Sequence, residues 1–145
     1  MALRKAAGFV IYRKNCNNVN EYLLMQASYD NYHWTPPKGH LEENELNIDA
    51  AIRETEEEAG IKARDLNIHH DFEKVLTYAP KNKPFTKQVT YWLACLVNPD
   101  TPIILSHEHK DFKWLPLTQA KEKAAFPELQ KLLDECENYL IKTNA

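Results

Sequence analysis

Glycine is scarce in this chain. Among 145 residues there are three, Gly8, Gly39 and Gly60, and no two lie close enough to form a phosphate-cradling loop of the P-loop or dinucleotide type. If phosphate is handled, something other than a run of backbone amides holds it. Cysteine is nearly as sparse: Cys16, Cys95 and Cys136 are odd in number, far apart and without a C-x-x-C pair. That excludes a disulfide framework and implies a reducing, cytoplasmic setting. No apolar run approaches the roughly 18 residues of a membrane span. Residues 6–12, behind Arg4 and Lys5, are too short for a signal peptide and lack a cleavage site. A basic excess is missing too. With a net charge of −3 and a pI near 6.1, the chain does not read as a general nucleic-acid binder.

What is present fits one soluble domain spanning residues 1–145, with 43% hydrophobic and 27% charged residues and length enough to bury a core. The charge is unevenly placed. Residues 39–61 hold eight acids (Glu42, Glu43, Glu45, Asp49, Glu54, Glu56, Glu57, Glu58) and one base, Arg53, leaving the remainder at about +4. Residues 74–99 contain no acid but include Lys74, Lys81, Lys83 and Lys87. An acidic cluster set against a basic remainder suits a metal ion and a polyanion held together, and equally a solvated surface of uneven charge.

Residues 6–12 and 21–27 are strand-like runs joined by the Asn-rich connection 15–20. Residues 29–39 form an aromatic, turn-rich loop carrying Pro36-Pro37, which forces extended backbone. Ile48, Ala51, Ile52, Thr55 and Ala59 follow the spacing of one buried helical stripe, with Asn47 as N-cap and Gly60 as the left-handed stop. Segments 66–78 and 86–97 read as strands around a polar turn, 103–105 and 112–115 as short strands, and a last helix begins near Pro127 with Leu129, Leu132, Leu133, Cys136 and Leu140 as its stripe. This order predicts helices packed on a mixed sheet, an α/β or α+β sandwich.

At 100° per residue, Glu54, Glu57 and Glu58 share a helix face spanning about 100°, aimed away from the sheet into a common space. Solvated like charges at these spacings repel by a few tenths of a kcal/mol per pair. A divalent cation offsets that, and oxygen-only ligands favour hard Mg²⁺ or Mn²⁺; an ordinary charged solvent face remains the alternative. His69-His70 and His107-x-His109 offer no third ligand at a useful spacing for zinc.

Around this helix the order is Gly-x5-Glu-x7-Arg-Glu-Thr-x-Glu-Glu-x-Gly-Ile, from Gly39, Glu45, Arg53, Glu54, Thr55, Glu57, Glu58, Gly60 and Ile61. It resembles the Nudix box of hydrolases acting on nucleoside diphosphates linked to another group. Thr55 stands where the box has an aliphatic residue; it falls on the buried stripe and its hydroxyl can bond back to a helix carbonyl, so the substitution is expected to be tolerated. Glu43-Asn44 replaces a Pro-Gly turn, with Asn44 able to adopt the left-handed geometry. The resemblance implies an α/β/α sandwich with a mixed sheet, metal ligation by Glu54, Glu57, Glu58 and the Gly39 carbonyl, and support from Glu45 and Arg53. It also implies a carboxylate that takes a proton from water, Glu58 first and Glu108 second.

Trp34-Thr35-Pro36-Pro37-Lys38-Gly39-His40, Asn82-Lys83-Pro84 and Leu105-Ser106-His107-Glu108-His109 are similar to the animal-type branch that cleaves diadenosine tetraphosphate asymmetrically. That likeness implies hydrolysis to ATP and AMP by water attack on the fourth phosphate from the retained end. Lys38, Lys81, Lys83 and Lys87 can meet the phosphate chain, and His33 can bond a phosphate or stack. His107 and His109 are expected to hold Glu108 or phosphate. Tyr78, Phe126 and Tyr91 are candidates for stacking on adenine, while Trp92 and Trp114 are assigned to packing. A small-molecule dinucleoside polyphosphate, no membrane and a monomer complete the expectation. Two other functions share the box: another Nudix pyrophosphohydrolase activity, and a nucleotide sensor that binds without cleaving.

Overall fold

The computed structural model describes residues 2–28 and 32–144, so 29–31 of the aromatic loop lie outside the described residues. In chain order the elements are strands β1 (Ala2–Lys14), β2 (Asn20–Ala27), β3 (Trp34–Thr35) and β4 (Lys38–His40), and helix α1 (Asn47–Ala59). A 3-10 turn (Ala63–Asp65), β5 (Leu66–Tyr78), β6 (Phe85–Leu96), β7 (His109–Pro116), α2 (Leu117–Ala124) and α3 (Pro127–Thr143) follow. Among the described residues these strands form one mixed sheet whose main path is β3-β2-β1-β6-β5, with β4 on β1 and β7 on β2.

β1 is central because both of its faces are covered. It runs parallel to β6 from Ala2↔Phe85 to Tyr12↔Cys95. Ala6, Val10 and Tyr12 pack into one layer with α2 and α3, while Ala7, Phe9 and Ile11 pack into the other with α1. Burial on both faces explains an apolar run in place of alternation. The predicted stripe of α3 is buried as read, and each of its buried leucines contributes about 1.5–3 kcal/mol. The result is the α/β/α sandwich the sequence implied.

The sheet is split where the site forms. β1 pairs β2 at Tyr12↔Tyr22, Arg13↔Glu21 and Lys14↔Asn20, then parts from it and pairs β4 through Ala6↔His40, Ala7↔Gly39 and Gly8↔Lys38. β2 meanwhile takes β3 through Met25↔Thr35 and Gln26↔Trp34. The segment read as a loop is therefore a wedge of two short strands, with buried Pro36 and Pro37 at its point. A Cβ on Gly8 would run into the Pro37 carbonyl oxygen, so only glycine admits this approach.

Two local expectations are corrected. α1 is capped by the backbone of Leu46 without a side-chain bond; Asn47 instead donates Nδ2 to Thr90 Oγ1 at 3.3 Å. Residues 103–105 are not a strand: Ile104 N donates to Ala59 O at 2.9 Å and Ser106 N to Glu58 O at 3.2 Å, so the segment serves the carbonyls at the end of α1. Helix α2 was not foreseen. Gly60 ends α1 at φ 72° as expected. Among the described residues no helix is long and apolar enough to cross a membrane.

Candidate active site

Arg53 is the hub of the acidic cluster. Its Nε and one terminal nitrogen grip the two oxygens of Glu45 at 2.9 and 3.0 Å, and that same terminal nitrogen donates to the His40 carbonyl at 3.0 Å. The other terminal nitrogen donates to Glu54 at 3.1 Å and to Glu57 at 3.2 Å. Glu45 also accepts the Glu42 amide at 2.9 Å. These bonds, that from Arg53 foremost, hold its carboxyl at a pKa of about 2. Asn44 turns the loop at φ 64°, as its substitution for a Pro-Gly turn requires.

The three box carboxylates are not equivalent. Glu57 lies at the rim with its side chain 56% exposed, paired to Arg53. Glu54 sits beneath β4, where a Cβ on Gly39 would land on its carboxyl group. Glu58 is 9% exposed, which the alternative of an ordinary charged solvent face does not fit. Burial, with Glu54 and Glu108 adding, pushes its pKa up to about 8 against the opposing bond from the Lys38 amide, 3.2 Å from Oε1. Burial also raises Glu54. Among the described residues no three His, Cys, Asp or Glu side chains converge as a ready metal site. The donor chemistry nonetheless fits a hard divalent cation: oxygen ligands only, two partly dehydrated carboxylates, and a close-lying Gly39.

Thr55 does not bond back to a helix carbonyl. It is fully buried, and its hydroxyl has no partner among the described residues.

Glu108 is exposed at the turn before β7, and its charge is felt by Glu54 and Glu58. His109 was expected to serve Glu108 or phosphate, yet its Nε2 faces Glu58 Oε1 at 3.9 Å. Burial pushes its pKa down. His69 is structural, bonded to the Tyr12 hydroxyl at 2.8 Å and stacked on that ring.

Lys38, His40, Arg4 and Lys87 lie on the adjoining strands β4, β1 and β6. Lys38 and His40 pair with Gly8 and Ala6, and Lys87 pairs with Arg4. His40 is lowered by burial and then by Lys87, Lys38 and Arg4, which marks the four as one group. Arg4 was missed by the sequence reading, because only the strand register brings it to the others. Lys81 and Lys83 stand on the exposed β5–β6 turn, whose Asn82 has φ 63°.

Of the aromatic candidates, His33 meets Phe126 edge-on at 4.6 Å and 85°; Phe126 is 39% exposed. Tyr78 is partly buried against the α2–α3 layer. Tyr91 is corrected: at 2% exposure it belongs to the core and has no ring face left for a base. Trp92 packs near Phe9 and Trp114 lies under Arg13, as assigned.

Residues 2–136 match the NUDIX domain family model. The chain belongs to the Nudix family. Among its Nudix relatives, the asymmetrical bis(5′-nucleosyl)-tetraphosphatase of Caenorhabditis elegans is 50% identical over 136 residues, covering 94% of this chain and 96% of that one. The enzyme of the same name from Sus scrofa is 43% identical over 150 aligned positions, covering both chains fully. The crystal structure of a C. elegans Ap4A hydrolase binary complex superimposes with a TM-score of 0.90 at 48% identity, covering 96% of this chain and 98% of that one.

Proposed function

We propose that this protein hydrolyses diadenosine 5′,5‴-tetraphosphate to ATP and AMP, with Mg²⁺ or Mn²⁺ held by Glu54, Glu57, Glu58 and the Gly39 carbonyl. One observation carries the reading. Glu58, dehydrated beside Glu54, accepts a hydrogen bond from the backbone of Lys38, whose own charge joins those of Arg4 and Lys87 around His40. An acidic floor joined to a basic wall suits a cation and a polyphosphate held together. The names of the relatives supply the substrate.

A bound divalent ion supplies charge neutralisation and Lewis-acid polarisation of the phosphate oxygens. The chain's residues do the rest. Glu58 takes a proton from the attacking water, with Glu108 as the second candidate. The water oxygen bonds to the phosphorus of the fourth phosphate counted from the retained adenosine. The bond from that phosphorus to the bridging oxygen breaks, its electron pair leaving with ATP, while AMP keeps the new oxygen. Arg53 holds Glu54 and Glu57 in place, Lys38, Lys81, Lys83 and Lys87 meet the phosphate chain, and His33, Tyr78 and Phe126 receive adenine. Free Cys16, Cys95 and Cys136 support a cytoplasmic setting, and a monomer suffices for these roles.

Hydrolysis in ¹⁸O water tests the reading. Label is expected in AMP; label in ATP overturns the site of attack. ADP-ribose turned over far faster than diadenosine tetraphosphate overturns the substrate.

A further inference from the structure

The turn before β7 is tied to the end of α1. Ser106 N donates to the Glu58 carbonyl at 3.2 Å, and His109 N donates to Ser106 O at 3.2 Å, so the backbones carrying Glu58 and His109 are held in one register. Their side chains then meet in a closed place, the His109 side chain 9% and the Glu58 side chain 12% exposed, with His109 Nε2 3.9 Å from Glu58 Oε1. The same Oε1 accepts the Lys38 amide. His109 Nδ1 is buried without a hydrogen-bond partner among the described residues. A proton on Nδ1 would be a buried donor left unpaired, which is costly, whereas a bare lone pair there is cheaper. The tautomer is thereby assigned: Nε2, the nitrogen on the Glu58 side, carries the hydrogen.

We propose that His109 is a positioning residue: its Nε2 lies 3.9 Å from Oε1 of Glu58, the oxygen that also accepts the Lys38 amide, and together they fix this carboxylate in its buried place. The contact is long for a hydrogen bond, as such contacts often are before substrate tightens a site. The inference rests on Glu58 being a ligand and base as read above.

The test compares His109→Leu, His109→Gln and His109→Asn with the wild type, by calorimetric titration of Mn²⁺ alone and by steady-state kinetics. Gln places an amide N–H where Nε2 stands, Asn places one near Nδ1, and Leu has no donor. For His109→Leu, Mn²⁺ affinity and kcat are each expected to fall about 10-fold or more, with KM moving less than about twofold. Gln restores most of both losses and Asn does not. Wild-type Mn²⁺ affinity and kcat in His109→Leu overturn the proposal, as does a Gln variant no better than Leu when both melt like the wild type. Glu58→Gln separates the two levels. If it loses Mn²⁺ affinity and turnover while His109→Leu loses neither, positioning alone falls; if it loses neither, the reading of Glu58 and the proposal fall together.

Discussion

Gly39 lies so close over Glu54 that a single added carbon would meet its carboxyl group. The obstacle is the far end of a flexible side chain, so the carboxylate can move aside and the fold can persist. Gly39→Ala is therefore expected to melt within a few degrees of the wild type while kcat/KM falls about 100-fold, the cost of a misplacement near 1 Å. Gly8→Ala makes the contrast, because its Cβ meets the Pro37 carbonyl of the backbone wedge; it should lose stability as well. Paired melting curves and steady-state rates check both.

Glu45 ties the loop before α1 to Arg53, and the tie depends on ionisation. Its folded pKa of about 2 lies below the ordinary carboxylate value of 4.5, so the folded state binds fewer protons than the unfolded state between them. The contribution is present above about pH 4.5 and is lost as pH falls toward 2. Glu45→Gln should remove that share of the acid dependence, giving a flatter plot of denaturation midpoint against pH in this window. An unchanged slope would show that the pairing does not differ between the two states.

Thr55 occupies a position on the buried stripe of α1 with an unpartnered hydroxyl. Replacing it by isosteric valine removes a polar group whose burial costs about 1–3 kcal/mol, and Thr55 touches no part of the proposed chemistry. Thr55→Val should raise the melting temperature by several degrees and leave kcat and KM unchanged, as differential scanning calorimetry and kinetics would report.

These residues also mark how far the sequence could be read. α1, α3 and the long strands were legible because their burial follows simple periods, Ile48 to Ala59 on one helix stripe and the continuous run of a strand buried on both faces. Helix α2 was not, since its buried residues are Ala120 and Ala124 alone, too small to make a hydrophobic stripe. The β3–β4 wedge was hidden behind Pro36-Pro37, whose usual meaning is a loop. Within the candidate site, the box carboxylates and Arg53 are local in sequence, so their spacing on one helix face was readable. Arg4 and His109 reach it through strand register and through backbone bonds to the end of α1, which no local pattern encodes. The H-x-H spacing did flag His109, but its burial against Glu58, and not against Glu108, follows from the fold alone.

Phe126 presents a partly exposed ring at the junction of α2 and α3, with His33 packed against its edge. If adenine stacks there, losing the ring removes about 1–3 kcal/mol of binding, a rise in KM of roughly 5- to 150-fold. Phe126→Ala should show that rise with kcat changed far less, because the ring touches none of the carboxylates. Its partial exposure keeps the stability loss below that of a core phenylalanine. Phe126→Tyr, which keeps the aromatic face, should return KM to near the wild-type value. An unchanged KM in Phe126→Ala would instead confine Phe126 to packing and leave Tyr78 and His33 to receive the base.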